Sequence, residues 1–357
     1  MLTDVDGHEY IDLVCALGAI SLGYGECVLS AREQLDLWGG GLFSLPAEAE
    51  AEAARAVLET VAPWASRVRF TKTGSEATHA AMRIAKLATG RPYVMAGDWA
   101  YHGWHEWACP GQDARTLRYP YDPSTLAELV LDRSCDVAGA LPERDVAAVF
   151  VEPHRWEVMN TDWLRGVRAW CTENGAPMVM DEMVYGGRWA KGGGTDFFGV
   201  QPDLACYGKA IGNGASIACV VGQADVMDAH AEAVSGTYSG DVVALRQMIT
   251  TLGWYQHEDI IGALWARGRQ LQAGLKLLVD QCALNLGSVF VEGYPVHQRL
   301  RFAEPARGHI FSREMAQRGI LWHPEVTNVM AAHRPDHIEA VLVAAAESLP
   351  IALAESL

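Results

Sequence analysis

The chain has 357 residues, 50% hydrophobic and 20% charged, with 44 acidic against 28 basic side chains and a formal net charge of −16. That composition excludes a disordered, a collagen-like and a disulfide-stapled chain, and the acidity argues against nucleic acid and anionic membrane surfaces as partners. The length allows one large domain and a smaller one, or two equal ones, and any anionic ligand must be held by a local device such as a helix N-terminus.

In chain order, residues 3–13 read as a hairpin turning at Asp6-Gly7. Residues 46–61 are Ala/Glu-rich at helical spacing. A short strand at 68–71 leads to a helix that opens at Gly74-Ser75-Glu76-Ala77 and runs to about Thr89, where Gly90 ends it. A strand follows at 91–96. The apolar run 146–151 is the pattern of a strand covered on both faces, residues 161–174 are amphipathic and helical with Gly175 as cap, and strands follow at 176–180, 203–207 and 217–221. Strands alternating with helices predict a parallel sheet with right-handed crossovers. Beyond about Leu252, a long helix at 260–281, two short strands and a terminal helix from Pro335 predict a smaller α+β domain.

The first twelve residues carry Asp4, Asp6, Glu9 and Asp12 and no basic region, and no apolar run approaches the roughly 18 residues of a membrane helix. The cysteines at 15, 27, 109, 135, 171, 206, 219 and 282 form no C-x-x-C pair and read as buried reduced thiols. The expectation is a cytoplasmic protein with no metal. His102 and His105, in a Gly-containing loop without a third ligand, make a poor metal site.

Three features carry chemistry. Asp181 ends an apolar strand, at the edge where open α/β sheets bind ligands, although a helix cap or a surface ion pair would account for it alone. Lys209 stands about one βαβ unit downstream, just past another apolar strand and among glycines. A lysine in an apolar pocket becomes a nucleophile; the plain alternative is a surface lysine in a turn. Lysines are few, at 72, 86, 191, 209 and 276, and only Lys209 has this setting. Gly74-Ser75 opens a helix after a strand, which is an anion site or an ordinary N-cap. Together the three describe a pyridoxal phosphate site: phosphate on the helix N-terminus, Lys209 as Schiff base, Asp181 on the pyridine nitrogen. Tyr101, in the aromatic loop 101–107, suits ring stacking.

The chain resembles class III (omega-type) pyridoxal-phosphate aminotransferases, the group that includes glutamate-1-semialdehyde aminomutase. The matching stretches include Asp4-Val-Asp-Gly, Lys72-Thr-Gly-Ser-Glu-Ala77, Tyr101-His-Gly103, Val151-Glu-Pro153, Met180-Asp-Glu-Met183, Gly208-Lys-Ala-Ile-Gly212 and Gly236-Thr-Tyr-Ser-Gly240. The resemblance implies a fold-type I α/β transferase. Its large domain, residues 45–252, would carry a mostly parallel seven-stranded sheet, and 1–44 with 253–357 would form a small α+β domain. It also implies that Gly74 and Ser75 hold the phosphate and that Tyr101 stacks on the ring with Met183 on the opposite face. Asp181 would bind the ring nitrogen, Lys209 form the internal aldimine and Glu152 lie near the ring hydroxyl. Thr237 would reach the phosphate of a neighbouring subunit in a homodimer. Arg188 matches a family arginine, and Glu325 falls near an aminomutase acid.

The resemblance is to a compact version of the family. The sequence starts at the hairpin, the usual Gly-rich insertion after Glu152-Pro153 is shortened to 154–160, and Asp241-Val242 stands where Asn-Pro is common. The implied function is transfer of an amino group between an amine or amino acid and a keto or aldehyde acceptor. The alternatives are an intramolecular aminomutase and a catalytically silent scaffold of the same fold. The loop 101–107 and Phe43-Ser-Leu-Pro46 most resemble members associated with modified sugars and secondary metabolites.

Overall fold

The structure, a computed structural model, describes residues 1–25, 41–125, 127–128, 130–131, 145–153, 156–228, 233–281 and 288–354. Cys27, Cys135, Cys282 and the first two residues of the shortened insertion lie outside them. The chain divides into two compact units, one of Met1–Glu26, Arg155–Val158 and Asp259–Leu357, the other of Cys27–His154 and Met159–Glu258. The divisions therefore fall at 26 and 258 rather than at 44 and 252, and part of the shortened insertion counts with the smaller unit.

The smaller unit opens with the hairpin: β1 (Leu2–Thr3) pairs antiparallel with β2 (Glu9–Asp12). Gly7, at φ +89°, takes the left-handed turn position, and the Asp4 carboxylate accepts the N–H groups of Asp6 and His8, each at 2.9 Å.

The larger unit holds α1 (Glu48–Thr60), β3 (Arg67–Thr71), α2 (Gly74–Thr89), β4 (Tyr93–Gly97), β5 (Thr116–Tyr119), β6 (Val146–Val151), α3 (Thr161–Asn174), β7 (Met178–Asp181), β8 (Leu204–Tyr207), β9 (Ala218–Gly222) and α4 (Val242–His257). Its strands form one seven-stranded sheet in the order β3-β9-β8-β7-β6-β4-β5. From β8 to β5 all neighbours are parallel; β9 runs antiparallel to both β8 and β3. Every residue of β6, β7, β8 and β9 is buried, which is why these strands read as unbroken apolar runs. The helix boundaries follow from local chemistry. Thr73 caps α2 by accepting the Glu76 N–H, Glu76 returns a bond to the Thr73 N–H, and Gly90 ends the helix in the left-handed region at φ +69°. Asn160 and Gly175 do the same for α3.

The parallel order has a functional consequence. Strands β4, β6, β7 and β8 are consecutive neighbours and point the same way. Their C-terminal ends lie along one edge, and from that edge the chain runs into Tyr101, Glu152, Asp181 and Lys209 in turn.

The rest of the smaller unit comprises α5 (Ile260–Gln281), β10 (Val289–Tyr294), β11 (His297–Phe302), α6 (Pro305–Gln317), β12 (Ile320–Leu321), β13 (Thr327–Asn328) and α7 (Pro335–Ala354). Strand β12 pairs parallel with β2, while β10, β11 and β13 form an antiparallel sheet. One expectation needs correcting. By length and mean hydropathy (1.5), α7 is apolar enough to cross a membrane. Here it packs as a wall of the unit, burying Ile338, Val341, Ala344, Ala345, Leu349 and Ala352.

Candidate active site

Asp181 is the last residue of β7 and is 2% exposed. Its Oδ2 lies 2.8 Å from Nδ1 of His102, itself fully enclosed, and its Oδ1 accepts the Met183 N–H at 3.1 Å. Since a carboxylate only accepts, Nδ1 of His102 carries a hydrogen. The imidazole is fixed from behind: it lies parallel to Trp107 with centroids 6.2 Å apart and tilts against Phe150 at 5.5 Å. The sequence weighed His102 only as a poor metal ligand. Its partner is remote in sequence, so only the sheet order brings the two together.

Lys209 follows β8 and opens a short 3₁₀ turn, Lys209–Gly212, with φ at +46°. A side chain in that region is strained, the kind of backbone outlier that clusters at functional sites. The glycine before it is there for close approach. A Cβ on Gly208 would stand 2.7 Å from Sδ of Met183, and one on Gly74 would stand 2.9 Å from the same sulfur. The Met183 thioether therefore sits between the start of α2 and the Lys209 turn, and neither glycine can be exchanged without moving it.

Ser75, in the first turn of α2, packs against Gly103: a Cβ there would lie 2.4 Å from Ser75 Oγ, and Gly103 holds φ +104°. The Trp104 N–H reaches Ser75 Oγ at 3.4 Å, and Thr78 Oγ1 donates to the His102 carbonyl at 2.6 Å. Tyr101, at the head of this segment, is 60% exposed while its N–H donates to Glu152 Oε2 at 2.7 Å. Glu152 is 2% exposed, and its other carboxylate oxygen lies 3.3 Å from the Tyr185 hydroxyl, which donates to the Pro153 carbonyl at 2.6 Å.

Glu182, which sequence reasoning passed over, turns away from Asp181 into the protein. It is fully buried and accepts the N–H groups of Gly194 and Thr195 and the Thr195 hydroxyl, each at 2.7 Å. Burial pushes its carboxyl up to about 7, against the lowering effect of those three donors.

Other candidates stand elsewhere. Thr237 lines a cavity of about 510 Å³ with Lys72, Glu76, His79, Arg83 and Tyr238, a lining that includes none of Gly74, Ser75, Tyr101, Asp181 or Lys209. It does not cap the following helix, because Asp241 accepts the Val243 N–H at 3.0 Å and does so itself. Lys72, the one lysine near Gly74, pairs with Asp241 at 2.8 Å. Arg188 is completely buried. Glu325, in the smaller unit, pairs with Arg299 at 3.2 Å.

A pyridine-ring cofactor with a phosphate arm needs an amine to anchor it, an anion for its ring nitrogen and donors for its phosphate. The residues fit. Among the described residues, the N–H groups of Gly74 and Ser75 meet no acceptor in the chain, at the positive end of a sixteen-residue helix. Asp181 is buried and oriented from both sides, and the glycines at 74 and 208 keep the backbone low around Met183.

This sheet and edge define a fold-type I pyridoxal phosphate transferase. Residues 1–294 match the aminotransferase class-III family model, and the chain belongs to that family; it is an enzyme of this class, with pyridoxal phosphate as cofactor. Similar curated proteins include the glutamate-1-semialdehyde 2,1-aminomutase of Methanothermobacter thermautotrophicus, 29% identical, with 98% of this chain and 90% of the relative covered. That of Chloroflexus aurantiacus is 32% identical, with 96% and 86% covered. Among solved structures, the internal aldimine form of the FumI protein of Sphingopyxis sp. MTA144 superposes with a TM-score of 0.89 at 27% identity, covering 98% of this chain and 86% of that one. A transaminase with the cofactor bound gives 0.87 at 23% identity, covering 99% and 89%, a likeness of fold.

Proposed function

We propose that the protein is an aminotransferase that moves an amino group from an amine or amino acid to a keto or aldehyde acceptor, with Lys209 and Asp181 as its catalytic residues. The observation that carries the reading is the convergence of Lys209, the His102–Asp181 pair and the open N-terminus of α2 at one sheet edge within one unit. The cofactor supplies an electron-accepting ring. Asp181, held by His102, would keep a proton on the ring nitrogen, and the N–H groups of Gly74 and Ser75 with the Ser75 hydroxyl would hold the phosphate. Tyr101 and Met183 would enclose the ring from its two faces. The Lys209 amine would anchor the cofactor and, once freed by the incoming amine, would serve as the base that takes the proton from the substrate carbon. A homodimer in which Thr237 serves the neighbouring site completes the proposal, supported by its position in a lining apart from the other site residues of its own chain.

The second reading is an intramolecular aminomutase, supported by the names of the curated relatives. Half-reactions against a panel of amines test both. A transferase converts the lysine-linked cofactor to its amino form and releases a carbonyl product in equal amount; a mutase returns the isomerised amine and releases none. A protein that responds to no amine in either way contradicts both.

A further inference from the structure

The segment from Trp99 to Trp104 is pinned at nearly every residue. Trp99 Nε1 donates to the Glu152 carbonyl at 3.1 Å, the Tyr101 N–H to Glu152 Oε2 at 2.7 Å, and His102 reaches Asp181 at 2.8 Å. The His102 carbonyl receives Thr78 at 2.6 Å, Gly103 packs on Ser75, and the Trp104 N–H reaches Ser75 Oγ at 3.4 Å. Glu152 holds the front of this strap twice, through its carbonyl and its carboxylate. The other carboxylate oxygen lies 3.3 Å from the Tyr185 hydroxyl, whose one hydrogen goes to the Pro153 carbonyl at 2.6 Å and which belongs to a completely buried side chain. The carboxylate thus stands with one oxygen on the Tyr101 N–H and the other beside the Tyr185 hydroxyl.

We propose that Glu152 is a positioning residue that acts through the Tyr101 peptide and not through its charge on the cofactor. By fixing that one N–H it holds the start of the stretch that carries the exposed Tyr101 ring and, one residue on, the imidazole that orients Asp181. It thereby aligns the stacking face and the ring-nitrogen anion together. The proposal rests on the cofactor site described above.

Isosteric and charge-conserving variants separate position from charge. Glu152→Gln keeps an acceptor oxygen in place for the Tyr101 N–H. Its amide can face the Tyr185 hydroxyl, which accepts while still donating to Pro153. Glu152→Asp keeps the charge but, one methylene shorter, withdraws the acceptor. In the holoenzyme, Glu152→Gln should keep the cofactor's visible circular dichroism, its dissociation constant and the half-reaction rate within about twofold. Glu152→Asp should weaken the dichroism and loosen the cofactor about tenfold or more, the loss of one hydrogen bond to a charged group. In the apoprotein the Tyr101 amide should exchange with deuterium slowly in the wild type and the Gln variant and fast in the Asp variant. A spared Asp variant with an impaired Gln variant would overturn the proposal in favour of direct action by charge. Equal effects of the two, large or absent, would overturn it as well. A wild type without a lysine-linked cofactor band would instead refute the cofactor site, and the amide exchange would still read the clamp.

Discussion

Nδ1 of His102 lies 2.8 Å from Oδ2 of Asp181, and both side chains are out of reach of solvent. A buried carboxylate is costly without partners, and this one is held by an imidazole on one oxygen and a peptide N–H on the other. Phenylalanine at 102 would still pack between Trp107 and Phe150 while removing the donor. His102→Phe should therefore lower the half-reaction rate roughly ten- to hundredfold and lower the thermal midpoint as well, since Asp181 keeps only the Met183 N–H as partner. Asp181→Asn should retain the cofactor and lose on the order of 10²–10³ in rate, since a neutral amide cannot hold the ring proton. Rates near wild type in either variant would show that the pair does not act on the cofactor.

The positive φ of Lys209 makes a stability prediction independent of catalysis. Both Lys209→Ala and Lys209→Gly should abolish turnover. Alanine keeps the β-carbon that strains the left-handed region, and glycine removes it. After its own entropy cost, glycine should leave the apoprotein about 1 kcal/mol more stable than alanine does. Urea unfolding of the two apoproteins measures the difference, and an alanine variant as stable as the glycine one would remove the strain from the account.

Glu182 gives a pH dependence of defined sign. Burial pushes its carboxyl up to about 7 in the folded chain, above its ordinary value of 4.5. Between those limits the folded state binds more protons than the unfolded state. Its contribution to stability is thus fully present below about pH 4.5 and is lost as pH rises through about 7. Glu182→Gln removes the titration, while its amide group confronts the Gly194 N–H and lowers stability overall. Denaturation midpoints measured across this range should fall less with rising pH in the variant than in the wild type. Parallel curves would mean that Glu182 keeps the same charge in both states.

Thr237 can be tested without a structure of the assembly. Thr237→Ala alone should weaken the cofactor's hold, and Lys209→Ala alone is inactive. If Thr237 serves the neighbouring site, each mixed dimer contains one intact site and one doubly defective site. Adding the inactive chain should then raise the activity of the weak one. No rise after proven subunit exchange would confine Thr237 to its own chain.

Much of the fold was legible because its signals are local. The capping box at Thr73–Glu76, Gly90, Gly175 and the apolar run 146–151 mark their elements with chemistry confined to a few neighbours. The antiparallel insertion of β9 between β8 and β3 was not legible, since an apolar strand reads alike in either direction. Strand β5 and helix α6 were missed: β5 is four residues long, and Arg307, Arg313 and Glu314 interrupt the apolar pattern of α6. At the site, Asp181 and Lys209 were visible because each ends an apolar strand among small residues. His102, Tyr185 and Glu182 act on partners that only the sheet order or a loop return brings near, and their own neighbours in sequence say nothing of it.

The central claim is that the chain anchors its cofactor through Lys209 at the edge built by β7 and β8. Borohydride reduction of the holoenzyme, followed by proteolysis and mass spectrometry, tests it most directly, because reduction locks the cofactor onto whichever amine holds it. The account predicts one modified peptide, carrying the adduct on Lys209, and none in Lys209→Ala. An adduct on Lys72, Lys86, Lys191 or Lys276 in the wild type, or a cofactor that reduction leaves fully dialysable, would contradict it.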